Sequence, residues 1–126
     1  MTTRRSAPVY LDLFRIRFPV GAVTSIAHRV AGVLMLVSLP FLVYLLGLSL
    51  QDEDGFQQAI AWLQGCWPKA LATLIAWSLS HHALSGIRFL LIDVGVGVNL
   101  AQARLSAWLV NVAGMLAALL FLVWIL

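Results

Sequence analysis

An all-α membrane protein with three transmembrane helices is the architecture this sequence predicts, on three observations. Hydrophobic residues make up 62% of the 126-residue chain and charged residues 10%, with a mean hydropathy of +0.97, a balance that a soluble domain does not carry. The apolar residues gather into three runs, about 21–50, 68–93 and 105–126, each long enough for the roughly 20 residues that cross a hydrocarbon core. The charges separate by sign, bases before the first run and acids after it, as the positive-inside rule requires of a cytoplasmic N-terminus and, after three crossings, a periplasmic C-terminus. The chain 1–126 therefore reads as a single membrane-anchor domain.

Residues 1–20 form the cytoplasmic segment, holding Arg4, Arg5, Arg15 and Arg17 against one acid, Asp12, with Pro8 and Pro19 breaking any regular pattern. No apolar core with a cleavage site follows Arg4 and Arg5 closely, so no cleaved signal is expected. The first run carries Ser25, His28 and Arg29 near its start. Spaced three and four apart, they crowd one side of a helix within about a turn. A hydroxyl, an imidazole and a fixed cation near the head-group level suit a lipophile whose oxygens need donors, such as a quinone, and also suit haem propionates. Arg29 alone can also snorkel to the interface. Pro40 lies further along this helix, where neighbouring helices can satisfy the carbonyl it leaves free.

Residues 51–67 contain Asp52, Glu53 and Asp54 and no base, as an outer loop should. Within them 56–63 is expected to form a short amphipathic helix on the membrane surface, with Trp62 and Trp67 as interfacial anchors. Pro68 suits the first turn of the second span, Lys69 snorkels outward from it, and Arg88 and Asp93 mark its inner end. In the inner connection, 94–104, Gly95 and Gly97 are turn formers. No strand precedes them and no phosphate-binding fingerprint follows, which argues against a nucleotide site. The third run has Asn111 as its one strongly polar member, and Ala113, Gly114, Ala117 and Ala118 offer a close helix contact. The formal net charge of +3 comes without a basic stripe between aromatics, so nucleic acid is not expected as a partner. The single Cys66 has no partner for a disulfide or a CxxC pair.

The densest group of ionisable residues lies at 80–93, where His81, His82, Arg88 and Asp93 fall inside or at the end of an apolar run. Such groups are costly in a membrane and mark sites. On a helix, His82, Ser85, Gly86, Phe89 and Asp93 share one stripe while His81 points about 100° away. An imidazole one turn before a glycine can meet a flat group such as a haem, because Gly86 has no side chain in the way; the alternative is a histidine that only hydrogen-bonds a neighbouring helix. At about 1.5 Å per residue, His82 lies about 16 Å from Asp93 and His28 about 14 Å from Pro19, comparable depths on antiparallel neighbours. Both can ligate one iron, or His82 can ligate while His28 meets a propionate.

The run Arg17-Phe18-Pro19, then Ser25-Ile26-Ala27-His28-Arg29-Val30-Ala31-Gly32, and later His82-Ala83-Leu84-Ser85-Gly86-Ile87-Arg88 closing on Asp93, resembles the cytochrome b membrane-anchor subunits of succinate dehydrogenase. The resemblance covers nearly the whole chain. It implies a subunit with no catalysis of its own that works with a second small membrane subunit, an iron-sulfur subunit and a flavoprotein, passing electrons from succinate to ubiquinone in a bacterial inner membrane. It implies haem b ligated by His82, with the second axial histidine from the other membrane subunit. His28, Arg29 and Gly86 would then lie at the haem propionates and pocket, and Ser25 and Arg29 in the quinone site. The chain departs from many members at Phe89, where they carry a histidine. The rivals are a fumarate reductase anchor working in reverse, a haem-less anchor that keeps the quinone pocket, and a small transporter, against which stands the lack of a repeat.

Overall fold

A computed structural model describes residues 16–126. The basic N-terminal reading, which rested on Arg4, Arg5, Arg15, Asp12 and Pro8, lies outside these residues. The described chain is all-helical: α1, Val20–Ser49; α2, Glu53–Leu63; α3, Cys66–Asp93; and α4, Leu100–Ile125. The all-α expectation holds, but the three-span expectation does not. Only α1 and α4 are long and apolar enough to cross a membrane. The reason is α3's composition: its 28 residues include Lys69, His81, His82, Arg88, Asp93 and several hydroxyls, and its buried side chains apart from Pro68 are polar ones. The periplasmic C-terminus, which followed from three crossings, falls with it.

Local chemistry accounts for the helix ends. Pro19 precedes α1 in extended conformation, its carbonyl accepting from Ala22 N at 2.9 Å, and its ring fixes the backbone angle at the entry. The Asp52 carboxylate accepts from Gly55 N at 2.7 Å, capping α2, whose first turn holds Glu53 and Asp54, where the helix dipole favours negative charge. Gly55 also lets α2 fold back on α1, since a Cβ there would stand 2.5 Å from the Leu48 carbonyl oxygen. Phe41 and Trp62, with ring centroids 4.8 Å apart, join the two helices higher up.

At the other end α3 closes in a Schellman motif. Val96 N donates to Leu91 O at 2.8 Å and Gly95 N to Ile92 O at 2.9 Å, with Gly95 at φ 86°, a conformation that glycine adopts without a Cβ penalty. Gly97 is also left-handed. Asn99 then caps α4, its side chain accepting from Gln102 N at 2.9 Å. This cap starts α4 five residues before the expected 105, shortening the connection to 94–99.

α3 packs against both α1 and α4 and is the central helix. The large apolar side chains of α1 and α4, such as Val33, Leu36, Val37, Leu120 and Val123, point away from it and are exposed. Small or polar residues fill the interior instead: Thr24, Ala31, Ser78, Ser85 and Ala107 are fully or almost fully buried, which lets the helices approach closely.

Candidate functional site

The two adjacent histidines of α3 face different helices. His82 looks toward α1: a Cβ on Gly32 would lie 3.1 Å from its Cε1 and 3.3 Å from its Nδ1. His81 looks toward α4: a Cβ on Gly114 would lie 3.1 Å from its Cβ and 3.3 Å from its Cα. One residue advances a helix by about 100°, so each glycine makes room for one imidazole and together they set the rotation of α3.

His82 Nδ1 lies 3.1 Å from the backbone carbonyl oxygen of His28. A carbonyl only accepts, so Nδ1 carries the proton and Nε2 keeps its lone pair. Among the described residues, His81 Nδ1 is the one buried side-chain nitrogen or oxygen without a partner. Among the described residues, the Nε2 of His82 has no hydrogen-bond partner. A histidine donating through one nitrogen to a carbonyl, with the other free, has the arrangement found at metal-ligating histidines.

The His28 ring stacks on His82, centroids 4.0 Å apart and planes inclined by 15°. Imidazole lone pairs lie in the ring plane, so two rings face to face cannot direct them at one atom between them. In this arrangement His28 and His82 are not the two axial ligands of a single iron. Phe89 sets its edge against His28, 5.3 Å between centroids, and a Cβ at Gly86 would stand 3.8 Å from His28 Nε2. Gly86 thus borders the His28 ring without touching it, leaving a recess one turn from His82. Ser25 and Arg29 flank His28 on α1. Ser25 is half-buried and Arg29 exposed, so both can offer donors to a ligand on this face.

The structure separates residues that the helical stripe had joined. Ser85 was grouped with His82, yet its Oγ lies 3.3 Å from His81 Nε2. Ser78, His81, Ser85 and Arg88, spaced three, four and three apart, form a second buried stripe facing α4. His81 is 1% exposed and stacks on Trp77, 5.3 Å between centroids. A flat macrocycle cannot reach it without parting α3 from α4.

Arg88, read from sequence as an end marker, is 8% exposed. Its Nε donates to Ser106 Oγ and its Nη2 to the Ala103 carbonyl, both at 3.0 Å. Thr24 Oγ1 donates to Asn111 Oδ1 at 3.1 Å, tying α1 to α4. These residues were missed as a group, although the polar spacing 78–81–85–88 was there to read as a buried face.

Residues 3–122 match the family described as succinate dehydrogenase/fumarate reductase transmembrane subunit. The chain is 32% identical over 119 residues to the succinate dehydrogenase cytochrome b556 subunit of Coxiella burnetii, covering 94% of this chain and 95% of that protein. The protein of the same name from Rickettsia prowazekii is 30% identical over 122 residues, covering 97% and 92%. That from Paracoccus denitrificans is 27% identical over 121, covering 95% and 92%.

Proposed function

Because this chain belongs to the succinate dehydrogenase/fumarate reductase transmembrane-subunit family, we propose that it is a succinate dehydrogenase anchor that holds haem b through His82 and lends Ser25 and Arg29 to a ubiquinone-reduction site. It assembles with a second small membrane subunit, an iron-sulfur subunit and a flavoprotein, in a bacterial inner membrane. The relatives' names, all succinate dehydrogenase cytochrome b556 subunits of bacteria, support the haem, the direction and the compartment.

The observation that carries the haem assignment is the bond from His82 Nδ1 to the His28 carbonyl, which leaves Nε2 as a lone-pair donor of fixed orientation. Haem b bound there supplies one-electron transfer without an open position for oxygen. The chain's own residues do the rest. Gly32 leaves room for the His82 ring, Gly86 leaves space beside it, and His28 and Arg29 provide donors for propionate oxygens. The stacked His28 is not placed to be a second iron ligand, and by the family resemblance a histidine of the other small membrane subunit would supply it.

For the quinone, the Ser25 hydroxyl and the Arg29 guanidinium orient and polarise one carbonyl oxygen and stabilise the negative charge that reduction places there. His28, three residues from Ser25, is this chain's titratable group beside that oxygen.

The test is a reduced-minus-oxidised visible spectrum of the purified complex for wild type, His82→Ala and His81→Ala, with quinone reductase activity on the same samples. The low-spin b-type signal is expected to vanish in His82→Ala and to persist in His81→Ala. A signal that survives in His82→Ala overturns the ligand assignment.

A further inference from the structure

His81 and His82 are neighbours on one rigid helix, so what fixes the first ring fixes the direction of the second. The bond that orients His82, from its Nδ1 to the His28 carbonyl oxygen, is 3.1 Å long, near the upper end of the usual range of about 2.7–3.2 Å. It has little slack. A helix with its side chains has a radius of about 5–6 Å, so turning α3 by about 10° on its axis sweeps the His82 ring by about 1 Å, enough to break that bond. His82 is only half-buried, so its own surroundings leave it room to make such a move. His81 is 1% exposed. It is enclosed on every side, and in a close-packed interior a displacement of that size meets atoms in any direction.

The enclosure is built from α4 and from α3 itself. Gly114 receives the residue so closely that a Cβ there would stand 3.1 Å from the Cβ of His81 and 3.2 Å from its Nδ1. It is the one member without a side chain in the buried stripe of α4, Ala107, Val110, Gly114 and Ala118. His81 therefore sits in a notch, with Val110 a turn before it and Ala118 a turn after. Trp77, one turn earlier on α3, lies nearly parallel to the imidazole, with 14° between the planes. The nitrogens add little: Nε2 has a 3.3 Å contact with Ser85 Oγ, and Nδ1 has no partner among the described residues. The ring is held by its shape.

On the reading of His82 as the haem ligand, we propose that His81 is a positioning residue for the iron. Its buried ring locks the rotation of α3 and, through the shared backbone, keeps His82 Nε2 in one direction with the Nδ1–carbonyl bond intact. That bond raises the basicity of the ligating nitrogen, which bears on the reduction potential. The orientation of an axial imidazole plane also sets the low-field g value of a low-spin ferric haem. Both quantities therefore follow the rotation of α3.

The test is electron paramagnetic resonance of the oxidised complex, with a potentiometric titration of its haem, on wild type, His81→Ala, Gly114→Ala, Ser78→Ala and His82→Ala. His81→Ala removes the wedge, and Gly114→Ala displaces it while leaving every residue of α3 in place. Both are expected to keep the b-type absorption and to shift the low-field g value and the midpoint potential. Ser78 lies a turn away in the same buried stripe, its hydroxyl bonded within α3 to the Leu74 carbonyl, and Ser78→Ala is expected to match wild type in both. Values unmoved in His81→Ala, or moved as far in Ser78→Ala, overturn the proposal. So does loss of the b-type absorption from an assembled His81→Ala complex. Should His81→Ala fail to assemble, Gly114→Ala against Ser78→Ala decides. His82→Ala separates the two readings: a b-type signal that survives it overturns the haem ligand and the role of His81 together, whereas its loss there, beside unmoved values in His81→Ala, overturns the role of His81 alone.

Discussion

Replacing Gly114 with alanine places a methyl group where α3 and α4 come closest. The new Cβ would lie 3.1 Å from His81 Cβ, 3.2 Å from Nδ1 and 3.3 Å from Cα, against about 3.4 Å at which ordinary contact begins. The worst shortfall is thus about 0.3 Å. Because a main-chain atom is among the neighbours, turning the imidazole does not relieve it, and the helices themselves must part. Overpacking of this kind costs about 1–3 kcal/mol, while alanine in a helix interior returns up to about 1 kcal/mol over glycine. Gly47→Ala isolates the steric part, because nothing lies within 4 Å of that position and the helix preference is shared. Graded detergent denaturation of the complex, followed by tryptophan fluorescence, should find Gly114→Ala less stable than Gly47→Ala by about 1–3 kcal/mol. Equal stability of the two would refute the claim that Gly114 sets the α3–α4 distance.

Other positions give independent tests. Arg29→Gln should raise the quinone KM about ten- to a hundredfold, the loss of one charge-assisted hydrogen bond, with the b-type spectrum retained; an unchanged KM removes Arg29 from the quinone site. Gly97→Ala, at φ 74°, should cost about 1–2 kcal/mol in the same denaturation assay, and a neutral result would show that the turn relaxes freely. Asp52→Ala removes the α2 cap and should cost about 1 kcal/mol, while Asp52→Asn keeps an acceptor there and should restore most of it.

Sequence periodicity was enough to find the helices. The bounds of α1 and α3 fall within two residues of the expected ones, α2 begins three residues before the expected 56, and Gly95 and Gly97 turn the chain as expected. The early start of α4 was also legible, since Asn99 followed three residues later by Gln102 is a helix-start pattern, but the apolar run beginning at Leu105 hid it. What a one-dimensional pattern did not carry is which neighbour each stripe faces. Ser85 lies within a turn of both histidines, and only the packing of Gly114 against His81 assigns it to α4. The count of spans failed for a related reason: α3 has the length of a crossing helix, but its polar residues are accommodated by its neighbours and not by its composition. His82 and the trio on α1 could be singled out because polar groups stand out in an apolar run, and Gly86 because it lies one turn from His82. Arg88 was hidden by its place near a helix end, where arginines commonly only mark a boundary.

The polar stripe of α3 has a consequence for how the chain is made. Ser78, His81, Ser85 and Arg88 are covered by α4, the last of the four helices to leave the ribosome. Until α4 arrives, a newly made α3 presents a cation, an imidazole and two hydroxyls with no partner helix to receive them. Chains halted before α4 would display that surface to the quality-control machinery of the membrane, while finished chains conceal it. The same side chains that hold the folded subunit together are therefore uncovered in any chain that stops short of α4.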